Sequence, residues 1–167
     1  LSGLSFPAIT SYDDGIIVVA LQRQQLTATV YDRSGTWLRK DLVAAGARFP
    51  TAGVVGALLD VAPAGEGFLV AFLAGGRVGV RRLDATGQPI QEVQELGMGG
   101  PPRVAGDDNG ALVAFNSPDG TAVWWAGPTG PLTPGPTEAV GAFRDLQVGV
   151  REEGFRIAGG ERVPSGA

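Results

Sequence analysis

Four glycines constrain this sequence more than any other feature. Asp13-Asp14-Gly15 leads into Ile16-Ile17-Val18-Val19, and Glu66-Gly67 into Phe68-Leu69-Val70-Ala71. Asp108-Asn109-Gly110 leads into Ala111-Leu112-Val113-Ala114, and Glu152-Glu153-Gly154 into Phe155-Arg156-Ile157-Ala158. A polar pair ending in Gly before an apolar run is a hairpin signal, because Gly supplies the positive φ of a tight reversal. The surroundings repeat as well. Six residues before each Gly stands Ile9, Val61, Val104 or Val148, and three residues after it Val18, Val70, Val113 or Ile157. Twenty residues after the first three lies another Gly (Gly35, Gly87, Gly130), preceded at three positions by Asp32 and Asp84 in two of them. The anchors are spaced 52, 43 and 44 residues apart, with the extra length of the first interval around Ala44 to Gly56. A repeat of this period is a supersecondary unit stacked on its neighbours.

Unit two shows the expected content best. Strands are predicted over Leu58 to Ala62, Phe68 to Leu73 and Arg77 to Leu83. The turn Asp84-Ala85-Thr86-Gly87 follows, then a fourth strand over Gln88 to Val93. The second strand of each unit is apolar on both sides of its alternation, as a strand covered on both faces must be. Val18, Val70 and Val113 are therefore expected to be equivalent core positions. No stretch holds a helical period, so an all-β chain with essentially no helix is predicted. The units fall at about 7–49, 58–100, 101–140 and 144–167, the last of them incomplete.

A four-stranded unit of this length is the size of a propeller blade, and the chain resembles the degenerate β-propeller repeats of bacterial secreted and surface proteins. The resemblance spans residues 7 to 163 and carries no WD, GH or kelch signature. Asp32-Arg33-Ser34-Gly35-Thr36-Trp37 is similar to the Asp-box turn of sialidase-type propellers. Its Gly stands one place further from the Asp, and Val30 takes the place of the motif's Ser. A β-trefoil or a β-sandwich is the alternative architecture, with the fourth anchor speaking against the three-unit trefoil.

Composition narrows the function. The chain has no Cys and no His, which removes thiol and imidazole catalysis, thiolate zinc sites and histidine pH switching. No metal or organic cofactor is expected. Thirteen Lys and Arg against seventeen Asp and Glu give a net charge of −4, the wrong sign for a nucleic-acid partner. No apolar run approaches the length of a membrane span. Leu1 in place of Met leads to the expectation that the chain is processed or is part of a longer product.

Trp124-Trp125 is the most notable local feature. Adjacent strand residues point to opposite faces, so one Trp is expected against a neighbouring sheet and the other in reach of a sugar or a protein partner; the plain alternative packs both between blades. Trp37 is the third candidate ligand contact. Gly106-Asp107-Asp108-Asn109-Gly110 superficially suggests a calcium loop but lacks alternating ligands and the distant Glu, and reads as a hairpin turn. Arg77 with Arg81-Arg82, and Glu152-Glu153, read as solvated strand faces, with an interface role as the alternative. Pro101-Pro102 and Pro128 to Pro136 read as connections between units. No pair of acids stands out for glycoside hydrolysis.

These features favour a non-catalytic binding or assembly module that contacts protein in an extracellular, cell-surface or virion-like setting. A lectin or a fragment of a carbohydrate-active propeller enzyme is the alternative. The incomplete last unit has an open strand edge, expected to pair with residues 1 to 10 or, preferably, with a strand of another chain.

Overall fold

The computed structural model describes residues 5–12, 15–22, 24–45, 58–135, 145–152 and 154–159. Strand makes up 71% of them and helix none, so the all-β class expected from the Gly and Pro punctuation is the class observed. The first sheet contains β1 (Ser5–Tyr12), β2 (Gly15–Gln22), β3 (Gln25–Asp32) and β4 (Trp37–Ala45). The second contains β5 (Leu59–Ala64), β6 (Gly67–Ala74), β7 (Arg77–Asp84) and β8 (Gln94–Met98). The third contains β9 (Arg103–Asp107), β10 (Gly110–Ser117), β11 (Gly120–Ala126) and the two-residue β12 (Thr133–Pro134). The fourth is the hairpin of β13 (Gln147–Arg151) and β14 (Gly154–Ala158). Each is an antiparallel meander with its strands in chain order.

The sequence repeat is a repeat of strand register. Ile9 lies opposite Val18, Val61 opposite Val70, Val104 opposite Val113, and Val148 opposite Ile157. The anchoring glycines close the hairpins, opposite Tyr12, Ala64, Asp107 and Arg151. Asp13-Asp14 and Glu153 of the predicted turns, and most of the Ala44–Gly56 insertion, lie outside the described residues. The second repeated turn is equally regular. Asp32 accepts a hydrogen bond from Gly35 N and donates to Thr36 O; Asp84 does the same with Gly87 and Gln88. Gly35 and Gly87 take φ of +82° and +83°, which an L side chain enters only with strain. Gly87 has a second reason to be Gly, since a Cβ there would lie 2.5 Å from Cγ2 of Val30 in the first sheet.

Sheet faces then pack in series. Phe68, Val70 and Phe72 of β6 enter one core with Ile17, Val19, Leu21, Leu26 and Val30 of the first sheet. The alternate residues Leu69 and Ala71 enter a second core with Val78, Val80, Val113, Phe115 and Ala126. The middle sheet is thus covered on both sides, and β6 is buried over Gly67 to Phe72. Between units, β1 lies against β5, β5 against β9, and β9 against β13.

Polar ties reinforce the seams. Arg81 and Arg82, adjacent on β7, point to opposite faces and grip both neighbours. Arg81 donates to Val43 O of the first sheet and, at 2.8 Å, to Gln91 O. Arg82 is buried and donates to Gly130 O at 2.8 Å, Pro128 O at 3.0 Å and Gly127 O, all in the third unit, and to Ala64 O. The solvated-face reading of this pair is therefore wrong: the neighbouring carbonyls take the place of water. Arg77 does sit at the surface, paired with Glu95. Gln94 exchanges two hydrogen bonds with the backbone of Leu132, at 2.8 and 2.9 Å. Asp60 accepts from Val104 N of the third sheet at 2.9 Å and from Val61 N at 3.0 Å. Burial raises the Asp60 carboxyl above its ordinary value, against these amides and the nearby charge of Arg103.

Three further expectations are corrected. The fourth strand of unit two is Gln94–Met98 and not Gln88 to Val93. Pro89 has no N–H to donate and makes only an isolated bridge to Leu83, so continuous pairing with β7 resumes later, with Gln94 opposite Val80. Pro128 to Pro136 is more than a connection, because Arg82 holds its start and Thr133–Pro134 is the short fourth strand. Val18 is only half-buried, whereas Val70 and Val113 are fully buried. All three project toward the preceding unit, and the first sheet has no preceding unit among the described residues.

Val70→Asp and Val113→Asp should each cost several kcal/mol, about 3 or more, by burying an unpaired carboxylate; Val18→Asp should be tolerated far better. Denaturant melts of the three variants check this ordering. Arg82→Ala should cost about 2–4 kcal/mol through loss of charge-assisted bonds and the orphaning of buried carbonyls. Arg82→Lys should recover only part, since an ammonium lacks the planar fork.

Candidate functional site

A concave surface forms where the third sheet meets the terminal hairpin. A groove of about 980 Å³ opens there, lined by Asp107, Val150, Arg151, Glu152, Phe155 and Arg156. Register explains part of its chemistry. On β13 and β14, Val148, Val150, Phe155 and Ile157 share the face turned toward the third sheet. Arg151 and Arg156 belong to the opposite alternation. Register accounts for the apolar Val150 and Phe155 alone; Arg151, Arg156 and the carboxylates of Asp107 and Glu152 line the groove as well. Asp107 sits at the neck of the β9–β10 hairpin, where its Oδ1 accepts from Asn109 N at 2.8 Å. The Gly106 to Gly110 segment is thus a hairpin turn in geometry as in sequence.

Trp124 and Trp125 separate as strand alternation requires. Trp124 lies opposite Val113 and packs on the core between the second and third sheets. Trp125 lies opposite Leu112 and faces the terminal hairpin, its ring 5.1 Å from that of Phe155 at 63°, an edge-on contact. Both are half-buried. Trp37 is elsewhere: it opens β4 in the first sheet, opposite Tyr31, and is 61% exposed. The structure does not bring the three tryptophans together.

The turn before Trp37 is a small polar cage. Asp32 Oδ1 accepts from Ser34 Oγ at 2.6 Å and from Thr36 N at 2.9 Å. These bonds, that of the Ser34 hydroxyl first, hold the Asp32 carboxyl below its ordinary value. Asp84 repeats the arrangement with Thr86 N, Thr86 Oγ1 and Gln88 N, at 2.8, 2.7 and 2.9 Å. Burial pushes the Asp84 carboxyl up, but these bonds and Arg39 outweigh it and the net shift is downward. Both carboxylates commit Oδ1 to their own turns, and these bonds shape the third-to-fourth strand reversal.

Among the described residues, no three His, Cys, Asp or Glu side chains converge to hold a metal, and no helix is long and apolar enough to cross a membrane. Phe155, Arg151 and Arg156 are groove residues that sequence reasoning did not single out. The alternation of the last hairpin carried the signal, but the stacking of the third and fourth units was needed to show which face meets Trp125. No family model matches the chain, and no curated protein matches it.

A carboxylate held below its unfolded value stabilises the fold above that value and loses its contribution as the pH falls through the folded one. The melting temperature should therefore drop on acidification through the carboxylate range, and Asp84→Ala should show a shallower drop there than the parent. Asp60, shifted upward, acts in the opposite sense: its contribution is complete in acid and lost as the pH rises. Melts across acidic pH, with Asp60→Asn as comparison, separate the two slopes.

Proposed function

We propose that this chain is a propeller-type blade module that works by protein–protein contact and not by catalysis, in an extracellular or virion-like assembly. The groove beside Trp125 and Phe155 is the observation that carries the reading. It is lined by the terminal hairpin, and it mixes apolar contact with charges of both signs. That combination suits a segment of polypeptide, whose side chains and backbone offer both kinds of partner. The blade arrangement is supported by units that follow chain order, by sheets stacked face on face, and by first strands lying side by side from unit to unit. Such a scaffold presents rigid strands and variable turns, and function then resides in the turns and edges.

One observation favours a carbohydrate-binding reading instead. Trp37 is largely exposed beside a turn similar to an Asp box, and an exposed indole is a platform for a sugar ring. The two readings separate by experiment. A photo-crosslinking residue at Val150, in the groove, should yield protein adducts in the native setting that Phe155→Asp abolishes. Saturable quenching of tryptophan fluorescence by oligosaccharides, lost in Trp37→Ala, without any adduct at position 150, would move the assignment to a lectin.

A further inference from the structure

One position on the third strand carries a different chemistry in each unit. Val30, Arg82 and Trp125 each stand fifteen residues after their anchoring Gly. The register makes them equivalent: they lie opposite Ile17, Leu69 and Leu112, each two residues after the anchor. All three face the unit that follows. Val30 is buried in the core shared with Phe68, Val70 and Leu83 of the second sheet. Arg82 is buried against carbonyls of the third unit, and Trp125 meets Phe155 of the terminal hairpin. An aliphatic group, a cation and an indole thus occupy one place.

What the first two of them meet is also equivalent. Gly87 and Gly130 both stand twenty residues after their anchors. A Cβ on Gly87 would fall 2.5 Å from Val30 Cγ2, and Gly130 O accepts from Arg82 Nε at 2.8 Å. The turns around these glycines are built differently. Asp84-Ala85-Thr86-Gly87-Gln88 is closed on itself: Asp84 O accepts from Gly87 N, Gln88 O accepts from Asp84 N, and Asp84 Oδ1 accepts from Thr86 N and Gln88 N. Gly127-Pro128-Thr129-Gly130-Pro131 has no acid in the place of Asp84 and no N–H at Pro128 or Pro131. It turns the carbonyls of Gly127, Pro128 and Gly130 toward Arg82.

We infer that this third-strand position is the specificity determinant of unit-to-unit docking, its chemistry matched to the turn of the one unit that follows. Both seams are filled by valine, leucine and phenylalanine. Burial of such side chains is non-directional, so packing alone would accept either partner. Specificity needs a feature that rejects the wrong one. A guanidinium in the place of Val30 would be buried beside a turn whose Asp84 and Gln88 carbonyls are already bonded. An aliphatic side chain in the place of Arg82 would strip the carbonyls of Gly127, Pro128 and Gly130 of their donor. Val30 and Arg82 thereby fix which unit packs on which.

A double-mutant cycle on the intact chain tests the matching. Thr129 and Gly130 already agree with Thr86 and Gly87, so Gly127→Asp with Pro128→Ala and Pro131→Gln converts the turn of the third unit to the sequence of the second. Against the parent turn, Arg82→Val should lower the urea midpoint strongly and speed amide exchange at the seam of the second and third sheets. Against the converted turn, the same substitution should cost little, in midpoint and in exchange alike. An equal loss in the two backgrounds overturns the proposal, since Arg82 would then be a general tie indifferent to the turn it meets. Where Arg82→Val alone does not fold, the combined variant decides. Its cooperative unfolding supports the matching, and the lack of it overturns the proposal.

Discussion

The structure depends on one strand being apolar on both of its faces. β6 sends Phe68, Val70 and Phe72 into one core and Leu69 and Ala71 into another, so a single run of residues holds two sheets apart and together. Burial of this kind is non-directional and scales with area; alone it would let the sheets slide over one another. The directional part comes from Arg81 and Arg82 on the next strand. Their forks bond to carbonyls on either side and fix each neighbour's position. Hydrophobic packing thus supplies the cohesion at the seams, and the guanidinium groups supply the register.

The hairpin frame was legible in the sequence because it rests on local chemistry. A turn pair followed by Gly fixes a reversal, the reversal fixes the register, and the register sends each β-branched residue to a definite face. Hence the pairs Val61–Val70 and Val104–Val113 could be read from offsets alone. The offsets could not report which face finds a neighbour. Val18 matches Val70 in every local respect, and its half-exposure follows from the place of its sheet in the stack. Likewise Arg81-Arg82 resembles a solvated pair until the carbonyls that replace its water are located 38 and 48 residues away along the chain.

Proline explains the other departures. Gln88 to Val93 has the apolar alternation of a strand, but Pro89 interrupts the ladder and moves the strand on to Gln94–Met98. Pro134 has the reverse lesson: it lies in a strand, but in a two-residue strand at the edge of the third sheet, where a missing donor faces no partner. The groove was the least legible element. Its residues come from two units whose approach is set by packing of the third sheet on the fourth, a relation that no local pattern encodes.

The way the middle sheet faces both neighbours also bears on how such a chain changes over generations. The middle unit presents one face to the unit before it and another to the unit after. Duplication of that unit would therefore insert a part whose apolar faces already fit on both sides, while loss of a unit would bring together two apolar surfaces that already match. Under that grammar, turns and edge strands are free to diverge, whereas the alternating second strand is held by two neighbours at once and drifts slowly. Sequence likeness among descendants would then fade first at the turns and last along residues such as Leu69, Val70 and Ala71.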